Sequence, residues 1–332
     1  MNQLRVDRRK YGEYGQDNVE LVEVDFEGGI AVEIISFGGI IKTLKVPILD
    51  GTRKNIVISL PDLDTYADDT FFIGCLVGRF ANRIKNGEFN IGNEKITLTK
   101  NHGNHHLHGG DRGFGKMNWE ISSVEQQKET VTIELILSSA DGAEGYPGNL
   151  EVIVLYVISR NEVKISYSAQ SDKKSIFSPT NHSYFNLGAD FKSSIDDHRL
   201  RIDSDQILEV DEDLIPTGTL LSVEGTVFDF QEERYIGDSE YDHCYALKGR
   251  ARLSNERTGV SMTIESDAPG IQLYTADHLS GDGLMKRSAV CLETQFFPDS
   301  PNIAHFQSPF IGEGEEVKTD TTYRFELSDN EK

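Results

Sequence analysis

Thr130-Val131-Thr132-Ile133-Glu134-Leu135-Ile136-Leu137 is the stretch that decides the fold class of this chain. The side chains at positions 131, 133, 135 and 137 are all apolar, and Thr132, Glu134 and Ile136 stand between them. A period of two is the period of a β-strand, in which successive side chains point to opposite faces. The stretch therefore predicts a strand with one buried face.

The same alternation recurs on both sides of this stretch. Residues 22–26 and 163–167 repeat it. Residues 150–158 are apolar at nearly every position, which predicts a central strand covered on both faces. Strands of this kind dominate the sequence.

Turn signals separate the predicted strands, and helical periodicity is scarce. Gly28-Gly29, Asp50-Gly51 and Asn86-Gly87 are typical of hairpin turns. Residues 61–67 have the pattern of one or two helical turns. We therefore predict an all-β fold with very little helix, a large β-sandwich or barrel that forms a single domain over residues 1–332.

Composition and charge narrow the class of protein. Of the 332 residues 37% are apolar, and no apolar run approaches the roughly 20 residues of a membrane-spanning helix. The 55 acidic residues outnumber the 33 basic ones, so the formal net charge is −22. A field of that sign repels the phosphates of nucleic acids. We expect neither a membrane nor a nucleic-acid partner, whereas a neutral small molecule is compatible with this charge.

The cysteines and the first residues indicate a reducing compartment. Cys75, Cys244 and Cys291 form no CxxC pair, and their odd number leaves at least one thiol free. Residues 1–14 include four basic side chains, but the apolar segment of a secretory signal does not follow. We expect a cytoplasmic protein, and the sequence leaves open whether it is a monomer or a homodimer.

Two strand-like segments each place one proton-transfer group among aromatic and amide side chains. They are Asn181-His182-Ser183-Tyr184-Phe185-Asn186-Leu187 and Leu292-Glu293-Thr294-Gln295-Phe296-Phe297-Pro298-Asp299. The strand period puts His182, Tyr184 and Asn186 on one face. Histidine can hold a donatable proton near neutrality, and partial burial makes a carboxylate such as Glu293 a better base. A core histidine satisfied by the backbone is the alternative. The pair suits an acid and a base on opposite sides of a hydroxyl-rich ligand such as a sugar.

Other polar residues are suited to bind the hydroxyl groups of such a ligand. In Gly78-Arg79-Phe80-Ala81-Asn82-Arg83-Ile84 the two arginines face the same side if the segment is a strand, and we assign Arg79 to ligand binding and Arg83 to structure. Gln272 adds an amide on another predicted strand, and Asp242 is either a hydroxyl acceptor or a solvated acid. Asp242 and Glu293 together also leave glycoside hydrolysis open, because that reaction uses two carboxyl groups.

Four of the nine histidines fall in Asn101-His102-Gly103-Asn104-His105-His106-Leu107-His108-Gly109-Gly110. Imidazole binds zinc, nickel and copper, so a metal site is one interpretation. The spacing matches no closed zinc pattern, and no nearby cysteine completes one. The glycines favour a loop in which one or two histidines donate to ligand hydroxyls, or are simply exposed. We expect no metal and no cofactor, and the roles of His102, His105 and His106 stay open.

Several of these motifs, taken in order, resemble those of the galactose mutarotase (aldose 1-epimerase) family, and the resemblance runs over residues 37–325. The motifs are Gly78-Arg79-Phe80-Ala81-Asn82-Arg83-Ile84, Leu107-His108-Gly109-Gly110 with Gly113-Phe114-Gly115-Lys116 and Trp119, Asp141-Gly142 with Gly145-Tyr146-Pro147-Gly148-Asn149-Leu150, Asn181-His182-Ser183-Tyr184-Phe185-Asn186-Leu187, Asp242-His243, Gly270-Ile271-Gln272-Leu273-Tyr274-Thr275 and Leu292-Glu293-Thr294-Gln295. Each motif is weak alone, and the ordered set is specific.

The resemblance implies a fold, a reaction and a set of site residues. The fold is a galactose mutarotase-like β-sandwich, the supersandwich. The reaction is the cofactor-free interconversion of the α and β anomers of free aldohexoses, with galactose or glucose preferred. Glu293 would be the general base that removes the proton of the anomeric hydroxyl, and His182 the general acid that protonates the ring oxygen. Substrate binding is implied for Arg79, Asn82, His108, Tyr184, Asp242 and Gln272.

Three other functions stay open at this point. They are a sugar-binding protein without catalysis, a glycoside hydrolase or lyase, and a metal-dependent enzyme. The sequence also leaves undetermined which aldose is preferred and which nitrogen of His182 carries the proton.

Overall fold

The computed structural model describes residues 3–281 and 283–328. It is 51% strand and 6% helix, which confirms the predicted all-β class. None of the helices in these residues has the length and hydropathy that crossing a membrane requires.

The described residues form twenty-eight strands. In chain order the first fourteen are β1 (Leu4–Tyr14), β2 (Asp17–Phe26), β3 (Ala31–Ile35), β4 (Ile40–Pro47), β5 (Arg53–Asn55), β6 (Leu76–Val77), β7 (Arg83–Ile84), β8 (Glu88–Ile91), β9 (Glu94–Thr97), β10 (His106–Leu107), β11 (Glu120–Gln126), β12 (Thr130–Ser139), β13 (Leu150–Ser159) and β14 (Glu162–Ser171). The others are β15 (Ser175–Ile176), β16 (Thr180–Asn181), β17 (Tyr184–Phe185), β18 (Arg199–Ile202), β19 (Gln206–Val210), β20 (Pro216–Ser222), β21 (Arg234–Tyr235), β22 (Asp242–Ala246), β23 (Arg250–Asn255), β24 (Val260–Ser266), β25 (Gly270–Tyr274), β26 (Val290–Gln295), β27 (Phe310–Ile311) and β28 (Glu316–Leu327).

Three large antiparallel sheets organise these strands within the described part of the chain. A five-stranded sheet has the order β1-β2-β3-β4-β5, and a nine-stranded sheet has the order β11-β12-β13-β14-β28-β24-β23-β18-β21. A six-stranded sheet has the order β17-β26-β25-β22-β19-β20. The described strands also form four two-stranded sheets, β10-β7, β15-β27, β16-β6 and β8-β9. The arrangement is the large β-sandwich that was predicted.

The main apolar cluster draws side chains from all three sheets. It includes Val24 of the five-stranded sheet, Ile133 and Val154 of the nine-stranded sheet, and Leu292 of the six-stranded sheet. Burying one such side chain is worth about 1.5–3 kcal/mol. Because neighbouring residues of a strand point to opposite faces, burying Leu292 in this cluster turns Glu293 to the other face of β26. The core thereby sets the direction of the carboxylate.

The prediction that residues 150–158 are covered on both faces was wrong. Along β13 fully buried residues alternate with exposed or half-buried ones, and the Ile153 side chain is 38% exposed. An antiparallel sheet needs only one face against the core, so the other face of this one contacts solvent in spite of its apolar residues.

The predicted turns and helix have mixed outcomes. Gly28-Gly29 connects β2 to β3, and Asp50-Gly51 connects β4 to β5, as expected. Asn86-Gly87 lies in a 3₁₀ turn instead, because β7 pairs with β10 and β8 pairs with β9. The predicted helix is present as α1 (Leu63–Asp68), and Asp62 caps it by accepting from the Thr65 N–H. The described residues also contain short 3₁₀ helices at Lys85–Gly87, Phe114–Lys116, Ala143–Gly145 and Ser300–Asn302.

Candidate active site

A cleft of about 560 Å³ brings together most of the polar residues singled out in the sequence. The cleft is open on one side, and strands β22, β25 and β26 of the six-stranded sheet contribute to its wall. Its lining consists of Thr70, Phe71, Phe72, Asn82, Arg83, Leu107, His108, His182, Tyr184, Asp242, Gln272, Tyr274, His278 and Glu293. Of the predicted site residues, Arg79 is missing from this set.

Glu293 lies in the cleft on a strand that is buried along its whole length. Every residue of β26 is buried, and Glu293 is directly opposite Gln272 of β25. Its side chain is 2% exposed. Burial raises the pKa of Glu293 well above its ordinary value, and the nearby charge of Asp242 raises it further. A carboxyl group in this environment is a stronger base than a solvated glutamate.

His182 faces Glu293 from the segment between β16 and β17. The backbone holds it on both sides, since its N–H donates to the carbonyl of Cys75 and its carbonyl accepts from the Gly74 N–H. Its Nε2 lies 3.6 Å from Oε1 of Glu293. Burial lowers the pKa of His182 to about 4. The acid and base candidates are therefore adjacent and poorly solvated.

The predicted continuous strand over residues 181–187 is interrupted at this histidine. Strand β16 ends at Asn181 and β17 begins at Tyr184, so the simple alternation of faces does not hold. Tyr184 does line the cleft, but the Asn186 amide donates to the carbonyls of Asp190 and Ser288. The Asn186 side chain therefore has a structural role, because it binds backbone carbonyl groups.

His108 is held in one defined tautomer. The backbone N–H of Asn82 donates to its Nδ1 at 3.2 Å. Burial, and then the charges of His182 and Arg83, place the pKa of His108 well below its usual value of 6.5. The side chain is therefore neutral at pH 7, and its proton is on Nε2. His108 can donate a hydrogen bond through Nε2.

His108, His182 and Glu293 are also close enough for a metal ion to bind them together. Their ligand atoms all lie within 4.8 Å of one another. Ligation through Nε2 of His108 would require its proton on Nδ1, where the Asn82 N–H already points. These donors and acceptors suit a hydrogen-bonded ligand better than a metal ion.

Asp242, Gln272 and Arg83 form a polar group beside Glu293. The Gln272 amide donates to Oδ1 of Asp242 at 2.5 Å, and Nη2 of Arg83 lies 3.6 Å from Oδ2 of the same carboxylate. Among the described residues, Glu293 Oε2, Gln272 Oε1 and Arg83 Nε are buried without a hydrogen-bond partner. Buried polar atoms are normally paired, so these three favour a polar ligand in the cleft.

The two arginines of the Gly78–Ile84 motif have the opposite places from those predicted. Arg79, assigned to ligand binding, is buried away from the cleft, and its guanidinium donates to Ser139 Oγ and to the carbonyls of Ser139, Ala140 and Pro147. Arg83, assigned to structure, lines the cleft. The reason lies at Asn82, whose φ of 64° breaks the strand alternation that put both arginines on one side. Asn82 itself lies in the cleft.

The other histidines of the 101–110 run have structural contacts. His106 is buried, with Nδ1 2.6 Å from the Thr99 carbonyl and Nε2 2.6 Å from the Tyr146 hydroxyl. Nδ1 of His105 accepts from the Asn86 N–H. His102 is exposed, and its backbone N–H and carbonyl pair with those of His105. Of the four, His108 is the one that lines the cleft.

An aromatic wall of the cleft was missed by the sequence analysis. The Phe72 ring lies 4.7 Å from the His108 ring and 6.0 Å from the His182 ring, measured between centroids. Phe72 has a φ of 58°, which sequence cannot reveal for a bulky residue. Phe71, Tyr274 and His278 also line the cleft and were missed. The Phe71-Phe72 pair, which follows the helix predicted over residues 61–67, was the sequence feature that could have indicated this wall.

A polar network holds this wall in place. The Asp69 carboxylate accepts from the N–H groups of Phe71 and Ile73 at 2.8 and 2.7 Å. The Lys116 ammonium donates to the carbonyls of Tyr66 and Ala67 at 3.1 and 2.9 Å, and also to the carbonyl of Asp69. The Tyr184 hydroxyl donates to the Phe71 carbonyl at 2.8 Å. The wall is thus fixed by a carboxylate, an ammonium and a hydroxyl group.

Comparisons with known proteins show which family the chain resembles. The sequence model of the aldose 1-epimerase family matches residues 20–324. Galactose mutarotase of Bos taurus is 35% identical to the chain over 319 residues, which cover 90% of this chain and 92% of the bovine one. Aldose 1-epimerase of Escherichia coli K12 is 32% identical over 324 residues, with coverage of 90% and 92%.

Solved structures extend the likeness to the fold. A galactose 1-epimerase from Lactobacillus acidophilus NCFM superposes with a TM-score of 0.88 at 28% identity, covering 98% of this chain and 100% of that one. An aldose epimerase homologue from C. elegans superposes with a TM-score of 0.84 at 28% identity, covering 91% and 97%. The family resemblance noted in the sequence is thereby confirmed, and this chain belongs to the aldose 1-epimerase family of isomerases.

Proposed function

We propose that this chain interconverts the α and β anomers of free aldohexoses, with D-galactose and D-glucose as preferred substrates. The observation that carries the proposal is the 3.6 Å distance between His182 Nε2 and Glu293 Oε1, two buried groups in one polar cleft. Membership of the aldose 1-epimerase family supports it.

Opening of the sugar ring requires one proton from the anomeric hydroxyl and one proton at the ring oxygen. Burial raises the pKa of Glu293 and lowers that of His182, so between those two pKa values the pair holds a single proton. In the productive state that proton is on His182. The Glu293 carboxylate takes the hydroxyl proton, and the His182 imidazolium gives its Nε2 proton to the ring oxygen. General catalysis of this kind is worth about 10²–10⁴ in rate for each group.

Ring closure uses the same two groups with their roles exchanged. In the open aldehyde the bond between C1 and the C5 oxygen is broken, and the aldehyde turns about C1–C2 to present its other face. His182 then removes the proton from the C5 hydroxyl as that oxygen attacks C1, and Glu293 returns a proton to the carbonyl oxygen. The pair ends with the proton count with which it began, so the cycle is balanced without a co-reactant.

The rest of the cleft supplies groups that suit a pyranose. Asn82, Arg83, His108, Asp242 and Gln272 offer donors and acceptors for hydroxyl groups. Phe72 and Tyr184 present aromatic surface, which suits the C–H groups of the sugar. Arg79 has no place in this proposal, because its guanidinium is committed to carbonyl and hydroxyl acceptors outside the cleft.

Polarimetry on freshly dissolved α-D-galactose, in dilute buffer with and without the protein, tests the proposal. We expect acceleration that is unchanged by EDTA, and a parallel run with α-D-glucose ranks the two sugars. An aryl β-galactoside is the companion substrate, and its hydrolysis would indicate a glycosidase. If the protein binds galactose without accelerating mutarotation of galactose, glucose or xylose, it is a sugar-binding member of the family and the proposal is wrong.

A further inference from the structure

His182 is held between two side chains of the same strand. Cys291 and Glu293 are two residues apart on β26 and therefore lie on the same face. The Cys291 Sγ is 3.6 Å from Nδ1 of His182, and the Glu293 Oε1 is 3.6 Å from Nε2. The spacing of alternate residues in a strand thus matches the two nitrogens of one imidazole ring.

The register of the sheet brings the thiol to this position. Strand β17 pairs with β26 so that Tyr184 is directly opposite Cys291. His182 precedes Tyr184 by two residues, and their rings are 5.1 Å apart. The groups that surround the His182 ring are Phe72, His108, Tyr184, Cys291 and Glu293. Of these, Cys291 contacts the nitrogen that faces away from Glu293.

Cys291 remains a thiol in this environment. Its side chain is fully buried, and burial raises its pKa well above the ordinary value. A thiol is a weak donor through S–H and a weak acceptor through sulfur. The sulfur can therefore accept a hydrogen bond from Nδ1–H both in the imidazolium and in the neutral ring that remains after Nε2 has given up its proton.

We propose that Cys291 is a positioning residue for His182, which fixes the ring orientation and leaves Nε2 as the nitrogen that exchanges a proton in the cleft. The inference rests on the proposed acid–base function of His182. The hydrogen bond at one nitrogen of a histidine decides which nitrogen carries the proton of the neutral form. His108 shows the opposite case, since its Nδ1 accepts from the Asn82 N–H and its proton is therefore on Nε2.

The weakness of the thiol has a chemical advantage for an acid. A carboxylate at Nδ1 would stabilise the imidazolium and hold its protons more tightly. Sulfur gives little such stabilisation, so the imidazolium remains a strong acid toward a weakly basic ring oxygen. Cys291 thus orients the ring without raising the basicity of His182.

Three variants and one spectroscopic measurement test this role. Cys291→Ala removes the contact, Cys291→Ser keeps a group that can donate to and accept from Nδ1, and Cys244→Ala is the matched control. Cys244 is also buried in the six-stranded sheet, but its sulfur lies near the Tyr245 carbonyl. Each protein is labelled with ¹⁵N-histidine, the tautomer of His182 is read from its nitrogen shifts, and kcat and KM for galactose are measured by polarimetry.

We expect neutral His182 in the wild type to carry its proton on Nδ1, facing the Cys291 sulfur, with Nε2 free to accept a proton. In Cys291→Ala the tautomer should become mixed, and kcat should fall roughly tenfold to a hundredfold with little change in KM, as for a misplaced catalytic group. Cys291→Ser should restore the tautomer and most of kcat, and Cys244→Ala should match the wild type.

Two results would overturn the proposal. The first is a neutral His182 with its proton on Nε2 in the wild type or in Cys291→Ser. The second is an equal loss of kcat in Cys291→Ala and Cys244→Ala, which would indicate general repacking. The tautomer measurement needs no turnover. A wild-type protein without mutarotase activity would therefore refute the proposed function, while the nitrogen shifts would still decide whether Cys291 orients His182.

Discussion

His182 Nε2 and Glu293 Oε1 are 3.6 Å apart, and the two side chains are 5% and 2% exposed. Burial acts on them in opposite directions, because the charged form of each is disfavoured. The pKa of the histidine falls to about 4 and the pKa of the carboxyl group rises. Burial thus favours the neutral form of both groups.

Removing either group should abolish most of the rate and leave sugar binding intact. We expect Glu293→Gln and His182→Asn each to lower kcat by about 10²–10⁴, with KM changed far less. The double variant should lose little more than the worse single one, since the two groups act as a unit. Polarimetry measures the rates, and galactose titration by calorimetry checks binding. A near-normal rate in either single variant would remove that residue from the mechanism.

The pH profile should be flat where a solvated histidine would titrate. If activity needed only an imidazolium with an ordinary pKa of about 6.5, kcat would fall about tenfold between pH 5.5 and 7.5. We expect instead that the buried pair keeps one proton across this interval and that kcat changes by less than about twofold. Activity should decline at low pH, where His182 and Glu293 are both protonated, and at high pH, where both are deprotonated. A single break near pH 6.5 would contradict the shared proton.

Glu293 should lower the free energy of unfolding of the protein at neutral pH. An unfolded glutamate ionises above about pH 4.5, whereas the folded one keeps its proton to a higher pH because its pKa is raised. In that interval the unfolded chain binds fewer protons, so the free energy of unfolding decreases as pH rises. Glutamine is neutral throughout. We expect Glu293→Gln to raise Tm by roughly 2 °C at pH 7, with the gain vanishing near pH 4. Calorimetric melts at the two pH values measure it, and an equal gain at both would mean that ionisation of Glu293 is not its cause.

Substitution of Arg79 should lower the stability of the protein, whereas substitution of Arg83 should weaken substrate binding. Arg79→Met leaves the carbonyls of Ser139, Ala140 and Pro147 without their donor, and should lower the free energy of unfolding by about 3 kcal/mol or more. Arg83→Met removes a cleft donor, and should raise KM by roughly tenfold to a hundredfold at nearly unchanged stability. Denaturant unfolding and steady-state kinetics on both variants give the comparison. The reverse pattern would restore the assignment made from the sequence.

The ammonium group of Lys116 should affect catalysis indirectly, because it holds the segment that carries the aromatic wall of the cleft. Lys116→Met leaves carbonyls at the end of α1 unpaired and loosens the segment that carries Phe71 and Phe72. We expect KM to rise and kcat to fall, each by roughly threefold to tenfold. Lys95→Met is the control, because Lys95 is an exposed residue that pairs with Glu88. An effect of equal size in both variants would mean that the aromatic wall does not depend on Lys116.

The sequence was a good guide where a pattern depends on local periodicity. Alternation along residues 130–137 predicted β12, and the scarcity of helical patterns predicted the class of fold. The same rule misled at residues 150–158, because composition does not reveal whether another layer covers the second face of a sheet. Burial on both faces is a property of the assembled sandwich.

Site residues were predictable by chemical type and less so by direction. His182, Glu293 and Asp242 do meet in one cleft, as their chemistry suggested. The arginines were exchanged because the left-handed conformation of Asn82 turns the chain between them, and nothing in the local composition signals it. Phe72 was missed for the same reason. Positions with positive φ at ordinary residues are decided by tertiary contacts, which lie beyond any local pattern.

The distribution of the cleft residues over the chain has a consequence for folding. His108 follows β10, His182 precedes β17, and Glu293 lies in β26, so these groups meet only after strands distant in sequence have paired. Pairing of distant strands is the slow part of forming a β-protein. A chain that has collapsed but not completed its six-stranded sheet contains all the cleft side chains but has not formed the cleft. Enzymatic activity should therefore appear only when all strands have paired. The time at which activity returns during refolding should give the time of the last assembly step.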